Sequence, residues 1–225
     1  MIGRLLKSRS RKTAPKSIKR TAEGRLASLA AAPVAAQIER LHAVDWTARV
    51  TAARELAQAG NRRATGALCA ALRDPAAEVA REAAEALAQI RDKQAVPSLA
   101  AVVLNADGFY EGSVRIAAAE ALGKFQDHRA VEALITAVYD NIAEISQAAI
   151  RALGAIGDAR AIDPLVSVVR NHDNYYLAFV RQAAVEALGR LAAPSARELL
   201  REIAADGHLD ASVRQAAGKV LLGVN

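Results

Sequence analysis

The sequence predicts an all-α protein, a right-handed α-solenoid of about five and a half helical hairpins. Three observations lead to this prediction. A pattern with the length of one helical hairpin repeats along the chain, and the apolar residues within it are spaced for one face of a helix. Alanine dominates the hydrophobic 52% of the chain, whereas aromatic residues make up only 4%. Such a composition favours closely packed helices, because alanine is a strong helix former and offers little to a pleated sheet.

The first helix of each hairpin carries the clearest repeat. The segment VRIAAAEALG at 114–123 returns as VRQAAVEALG at 180–189, and weaker copies begin at 48, 79, 145 and 213. The step from one copy to the next is alternately shorter and longer. The apolar residues of each copy fall at i, i+3, i+4, i+7, i+8 and i+11, which is the stripe of a helix with 3.6 residues per turn.

A second apolar stripe follows each first helix after a short turn. It lies at 65–72, 96–103, 131–138, 162–169 and 196–203. Asp127 and Asp158 in these turns are expected to cap the second helices, because a short carboxylate accepts hydrogen bonds from free backbone N–H groups. Residues 21–47 are expected to form N-terminal capping helices, and residues 48–225 the solenoid itself, whose last unit starts near 213.

A longer period, twice the length of the hairpin repeat, is superimposed on it. Residues 48–113 and 114–179 align without gaps and are identical at 24 of 66 positions. Both the short and the long connections between hairpins match in this alignment. We infer that a unit of two repeats was duplicated.

The pattern V-R-x-A-A-x-E-A-L-G, followed by a turn G-D-x-R-A, resembles the HEAT-like repeats of the phycobilisome-lyase type over about residues 46–222. The resemblance implies HEAT-like hairpins, which occur in bilin lyases and in scaffolds. It also implies one alternative function, a bilin or tetrapyrrole lyase-type chaperone with His172 and the tyrosines near the chromophore. The hydroxylase branch of the family binds metal through His-Glu pairs, and this sequence contains no His-Glu dipeptide.

Aromatic residues concentrate in two corresponding long connections, 105–112 and 171–178. Five of the eight aromatic residues lie in or beside them: Phe109, Tyr110, Tyr175, Tyr176 and Phe179. The two loops are expected roughly 20 Å apart on one edge, if helical layers stack at about 10 Å. Because tyrosine and phenylalanine supply rigid contact area, we expect a partner-binding edge that also includes His172. The alternative is that the rings fold back as a hydrophobic lid over the helix ends.

No set of residues in the sequence predicts catalysis or a cofactor. The four histidines are widely separated, and a metal-ligand spacing, a glycine-rich phosphate loop and a Ser/His/Asp set are all missing. Cys69 aligns with the core positions Ile135 and Val166, so a buried and inert thiol is expected. A single cysteine also fits a reducing compartment.

Charged residues recur at defined positions of the first helices. Four arginines share one position: Arg49, Arg115, Arg181 and Arg214. We expect them to pair with acids of the preceding unit, such as Asp74 or Asp140, and so to set the angle between repeats. Glu55 and Glu82 stand where alanine is usual in the apolar stripe, and a polar group at a packed seam needs a partner.

The net charge of +6 is concentrated at the N-terminus. A disordered basic arm is predicted over residues 1–20, whereas residues 26–225 sum to −2. The arm contains Arg4, Lys7, Arg9, Arg11, Lys12, Lys16, Lys19 and Arg20. Four roles remain open for it: nucleic-acid binding, attachment to an anionic membrane surface, an organelle transit peptide, or a solubilising tail. The sequence has no run that approaches 18 apolar residues and predicts no transmembrane span.

Taken as a whole, the sequence predicts a cytoplasmic, non-catalytic protein-binding or scaffolding module whose partner is another protein. Two contact surfaces are expected: the concave face, which we assign to the second helices, and the edge formed by the aromatic loops. The alternatives are the lyase-type chaperone implied by the resemblance and nucleic-acid binding through the basic arm.

Overall fold

The computed structural model describes residues 34–171, 174–191 and 193–223, and all regular secondary structure in these ranges is helical. Residues 34–40 form helix α1. The other helices are α2 (Trp46–Ala59), α3 (Thr65–Ala71), α4 (Ala77–Ile90), α5 (Val96–Leu104), α6 (Gly112–Phe125), α7 (Val131–Val138), α8 (Ala143–Ile156), α9 (Ile162–Arg170), α10 (Ala178–Arg190), α11 (Pro194–Ala205) and α12 (Ala211–Leu222). The prediction of an all-α solenoid is confirmed. The basic arm and residues 21–33 of the predicted N-terminal capping helices lie outside the described residues, and α1 lies in the remainder of that predicted segment.

The helices alternate between two layers. The first helices are α2, α4, α6, α8, α10 and α12, and each one packs on the next along the stack. They begin at positions 46, 77, 112, 143, 178 and 211, which reproduces the alternation of shorter and longer steps in the sequence. Each second helix, from α3 to α11, packs against the first helix of the following hairpin. A hairpin therefore buries its apolar stripes only when a neighbour is present, as expected for a solenoid.

Small residues allow the first helices to approach each other closely. A Cβ atom built on Gly123 would lie 3.0 Å from the Cα atom of Ala152, and one on Gly154 would lie 2.8 Å from the Cα atom of Ala187. The backbones of α6, α8 and α10 are therefore in direct contact at these points. Larger side chains fill the space between the two layers, and several are fully buried: Leu56, Leu87, Leu122, Leu153 and Leu188.

A short 3₁₀ turn precedes the second helix in four hairpins, at Arg62–Ala64, Lys93–Ala95, His128–Ala130 and Ala159–Ala161. The caps predicted at Asp127 and Asp158 are present, but each carboxylate accepts a backbone N–H at the start of the 3₁₀ turn instead of at the α-helix. Hydrogen bonds from Arg129 and Arg160 hold the pKa of these two carboxyl groups well below its usual range.

The recurring arginines tie the two layers together. Three ion pairs form, Arg49 with Asp74, Arg115 with Asp140, and Arg181 with Asp210. Arg115 is buried and also donates to the carbonyl oxygen of Val103, from Nε at 3.1 Å and Nη2 at 2.9 Å. Each acid follows its arginine in the chain and lies in the connection that ends the same hairpin. The prediction that each arginine pairs with an acid of the preceding unit was therefore wrong, because each partner lies at the end of the arginine's own hairpin.

Candidate functional site

The two aromatic loops have the same backbone design. Asn105 ends α5 and Asn171 ends α9, each with φ of 47°, a left-handed conformation that asparagine tolerates better than most residues. In each loop the side-chain amide accepts from the backbone N–H of a tyrosine at 2.8 Å and donates to the carbonyl of the same tyrosine at 3.2 Å. The tyrosines are Tyr110 and Tyr176. These two hydrogen bonds, which we call the asparagine clamp, recur in both loops and fix the loop backbone. In the first loop the backbone N–H of Phe109 also donates to Asp107, at 3.3 Å.

Each loop carries one inner and one outer aromatic ring in edge-to-face contact. The ring centroids of Phe109 and Tyr110 are 5.1 Å apart, and those of Tyr175 and Tyr176 are 4.9 Å apart. The inner rings, Tyr110 and Tyr176, are partly buried against the core. The outer rings, Phe109 and Tyr175, are 44% and 53% exposed. The inner ring thus covers the helix ends as a lid, and the outer ring is accessible to a partner.

An ion pair lies beside the outer ring of the first loop. Arg73 forms an ion pair with Asp107 at 2.9 Å, and its guanidinium carbon lies 4.9 Å from the ring centroid of Phe109. This hydrogen bond from Arg73 lowers the pKa of Asp107. One face of the Phe109 ring therefore contacts a cation of the same chain, although the residue remains 44% exposed.

The second loop differs from the first because Tyr139 occupies the position that aligns with Arg73. Tyr175 donates from its hydroxyl group to the carbonyl oxygen of Asp140 at 2.9 Å. Burial raises the pKa of Tyr176 to about 12. The phenol of Tyr176 therefore stays neutral up to strongly alkaline pH.

A group of exposed apolar side chains surrounds the second loop, and we call it the apolar edge. It consists of Tyr139, Ile142, Tyr175, Leu177 and Phe179. The aligned residues of the first unit are Arg73, Ala76, Phe109, Glu111 and Ser113. At one nearby position the apolar residue is in the first unit instead: the exposed Leu104 aligns with Arg170 of the second unit. The aromatic residues of the loops were predicted from the sequence, whereas Tyr139, Ile142 and Leu177 were not, although the alignment of 48–113 with 114–179 shows each of them as a change from the first unit.

The remaining predicted site residues have simpler surroundings. His172 lies outside the described residues, so its assignment to the binding edge stays a prediction. Cys69 is only partly buried, and burial raises the pKa of its thiol, so the thiol remains protonated at neutral pH. His128 is exposed at a turn, with Nδ1 2.6 Å from a carboxylate oxygen of Asp158. Within the described part of the chain, no group of histidine, cysteine and acidic residues is arranged to hold a metal ion.

The first helices form the more tightly packed layer. Their backbones touch at the glycine positions, whereas the second helices meet chiefly through the 3₁₀ turns, apart from a direct contact between α5 and α7. A two-layer stack bends towards its more closely spaced layer, so this packing favours the first helices as the inner, concave layer. This packing argues against the expectation from the sequence that the second helices line the concave face. A cleft of about 390 Å³ opens on the first-helix face between α6 and α8.

The family model for HEAT repeats matches the chain at residues 34–111, 109–179 and 144–222. This match confirms the resemblance noted in the sequence. No curated protein is similar enough in sequence to count as a match. None of the described helices combines the length and the hydrophobicity that a membrane span requires.

Solved structures with the same fold include proteins of different kinds. The complex of CpcE and CpcF of phycocyanin lyase from Nostoc sp. PCC7120 is 28% identical, with a TM-score of 0.59, and the match covers 82% of this chain and 74% of that chain. Human deoxyhypusine hydroxylase in complex with glycerol is 20% identical, with a TM-score of 0.50 and coverage of 86% and 85%. A designed armadillo repeat protein in complex with the peptide (KR)4 is 18% identical, with a TM-score of 0.53 and coverage of 84% and 98%. The last two likenesses show the fold alone.

Proposed function

Because the chain belongs to the HEAT repeat family, we propose that it is a non-catalytic scaffold that binds another protein through its apolar edge. One observation carries the proposal. Exposed apolar side chains lie around the second loop, and at four of the five positions the first unit has a charged or small residue instead. Contiguous exposed apolar surface on a protein chain commonly marks an interaction site.

The apolar edge is also well ordered for binding. The asparagine clamp fixes the loop backbone, and the hydrogen bond from Tyr175 to the Asp140 carbonyl restrains the outer ring. A side chain that is already restrained loses less conformational entropy when a partner binds. Aromatic residues held in this way are frequent among the residues that dominate binding energy at protein interfaces.

The comparison with CpcE and CpcF supports a protein partner, since those HEAT-like chains were solved as a complex with each other. Identity of 28% supports a similar mode of action without fixing the partner.

The duplication supplies a matched test of the apolar edge. In the first variant, Tyr139→Arg, Ile142→Ala, Leu177→Glu and Phe179→Ser install the residues of the first loop. In the reciprocal variant, Arg73→Tyr, Ala76→Ile, Glu111→Leu and Ser113→Phe install those of the second. Affinity capture with quantitative mass spectrometry should show proteins retained by the wild type and the reciprocal variant, and lost with the first variant. Retention of the same proteins by all three, with helicity intact by circular dichroism, would refute the proposal.

A second candidate function, a bilin or tetrapyrrole lyase-type chaperone, is favoured by the similarity to the phycocyanin lyase subunits. Co-expression of the full chain with a bilin and its acceptor apoprotein tests it directly. Coloured, covalently labelled acceptor above the level without the chain would support this function, and an uncoloured acceptor would count against it.

A further inference from the structure

Charge is distributed unevenly along the first-helix face. Its N-terminal part neutralises itself through three ion pairs, Arg40 with Glu55, Arg54 with Glu82, and Arg81 with Glu85. These pairs supply the partners that Glu55 and Glu82 require at positions where other repeats have alanine. The N-terminal part of the face therefore has little net charge to offer a ligand.

The cleft between α6 and α8 has a different charge balance. Its base is formed by the small residues Gly123, Ala148 and Ala152, and four charged residues line it. These are Arg91, Lys124, Arg151 and Glu120. In the described ranges, none of the three cations takes part in an ion pair with a carboxylate within 4.0 Å. The cleft thus presents three cations and one acid to the solvent.

The backbone gives independent evidence that the Arg91 side chain at the edge of this cleft has a role. Arg91 and Gln126 follow α4 and α6 in the left-handed conformation, with φ of 55° and 50°. The equivalent residues after α2 and α8 are Gly60 and Gly157, which adopt this conformation without strain. Both non-glycine residues line the cleft. Gln126 donates from its side-chain amide to the carbonyl oxygen of Ala155 at 2.9 Å, so its long side chain has a structural role. Arg91 is therefore the residue whose left-handed backbone, with its energetic cost, points to a role for the side chain at the cleft.

Positive charge continues along the same face beyond the cleft. A second opening of about 450 Å³ between α10 and α12 is lined by Arg190, Lys219 and Glu186. Between the end of α4 and α12 the two openings thus contribute five cations and two acids. Residues 26–225 carry a net charge of −2, so this face is a local exception. Such a surface attracts a negatively charged partner.

We propose that the cleft between α6 and α8 binds carboxylate side chains of an acidic segment in a partner protein. Arg91, Lys124 and Arg151 donate hydrogen bonds to the carboxylates, and the small residues at the base leave room for the aspartate or glutamate stems. Glu120 and Glu186 interrupt the row of cations and repel a continuous polyanion such as a nucleic-acid backbone. Separate side chains on a peptide can avoid these acids. This surface is distinct from the apolar edge, and the two proposals share only the premise of a protein partner.

The proposal is tested with the full chain and a fluorescein-labelled peptide that alternates four glutamates with glycines. Fluorescence anisotropy at low salt measures the affinity of the wild type and of the triple variant Arg91→Gly, Lys124→Ala, Arg151→Ala. We expect the triple variant to bind at least about tenfold more weakly, since charged hydrogen bonds are lost. A control variant, Arg62→Ala, Arg63→Ala, Arg170→Ala, removes three exposed cations elsewhere and should keep wild-type affinity. The basic arm is the same in every variant, so its contribution cancels.

Stability measurements separate a binding effect from misfolding. Arg91→Gly alone should not lower the Tm, because glycine suits the left-handed backbone at this position, yet it should weaken peptide binding. Equal peptide affinity in the wild type and the triple variant overturns the proposal, and so does the absence of wild-type binding. A single-stranded oligonucleotide of matched charge that binds more tightly than the peptide, and loses affinity in the triple variant, would also overturn it in favour of nucleic acid. The apolar-edge variant should bind the peptide normally, so failure of one proposal leaves the other standing.

Discussion

The two aromatic loops share a backbone but differ in the side chains they present. Asn105 and Asn171 clamp their loops with the same hydrogen bonds at the same distances, and both loops pair an inner with an outer ring. The first loop places Arg73 over its outer ring, whereas Tyr139 stands at that position beside the second. The clamp is therefore structural and common to both units. The exposed side chains around the clamp differ between the two units. We therefore expect these side chains, and not the clamp, to carry the specific function.

The largest expected effect concerns the buried arginines beneath the loops. Arg115→Met should lower the free energy of unfolding by about 3 kcal/mol, because it leaves the carboxylate of Asp140 and the Val103 carbonyl without their partner in a mostly buried site. Arg181→Met should cost about 1–2 kcal/mol, since the side chain of its partner Asp210 is 64% exposed and water can replace the lost contact. Urea unfolding of both variants measures the difference. Equal losses would show that the solvent exposure of the acid does not matter here.

The asparagine clamp should contribute equally to the two loops. Asn105→Ala and Asn171→Ala should each lower the free energy of unfolding by about 2 kcal/mol, through two lost hydrogen bonds and a strained left-handed alanine. Asn105→Gly and Asn171→Gly remove the clamp without the strain and should cost about 1 kcal/mol. Chemical denaturation of the four variants tests this. A loss confined to one loop would mean that the common backbone design is not equally important in both units.

The contacts of the outer rings should respond differently to salt. Arg73→Ala removes an exposed ion pair and a cation–π contact, so it should destabilise less than the clamp variants and lose its effect at a salt concentration of about 1 M. Tyr175→Phe removes a neutral hydrogen bond, so its loss of about 0.5–1 kcal/mol should persist at high salt. Thermal unfolding at low and high salt measures both. If both variants showed the same salt dependence, the contacts of the outer ring would not be ionic in the first loop and neutral in the second.

The smallest effect is the titration of Tyr176. Burial raises the pKa of this phenol to about 12, so the stability it contributes is complete below its unfolded value of about 10 and is lost as the pH rises towards 12. The difference in ultraviolet absorbance of the phenolate between the wild type and Tyr176→Phe should therefore titrate near pH 12. A difference that titrates near the unfolded value would show that the inner ring is not covered.

The helical repeat was predictable because each hairpin repeats the same local rules. The stripe around Val114 and Val180 predicted the first helices, and the observed alternation of their starting points follows the sequence spacing. Two features of the fold could not be predicted, because the spacing of residues in the sequence does not show how the helices are placed in space. The direction of pairing between Arg115 and Asp140 depends on how the layers are offset, and the tighter packing of the first helices depends on backbone contact at Gly123 and Gly154.

The candidate surfaces were predictable only in part. Aromatic composition pointed to Phe109 and Tyr175, but a sequence does not show which ring of each pair is buried. The alignment of the two units shows Tyr139 in place of Arg73, but only the structure shows that the connection before α8 lies beside the loop that precedes α10. The cationic cleft has no sequence motif, because its residues come from the end of α4 and from the solvent-facing sides of α6 and α8.

The most direct measurement compares the two loops at one aligned position in the full chain. A photo-crosslinking residue, benzoylphenylalanine, is placed at Leu177 in one variant and at Glu111 in the other, and both are irradiated in the cells from which the protein comes. We expect discrete protein adducts from position 177, lost when Tyr139→Arg and Phe179→Ser are added, and none from position 111. Adducts of equal yield from both positions, or none from position 177, would contradict this expectation.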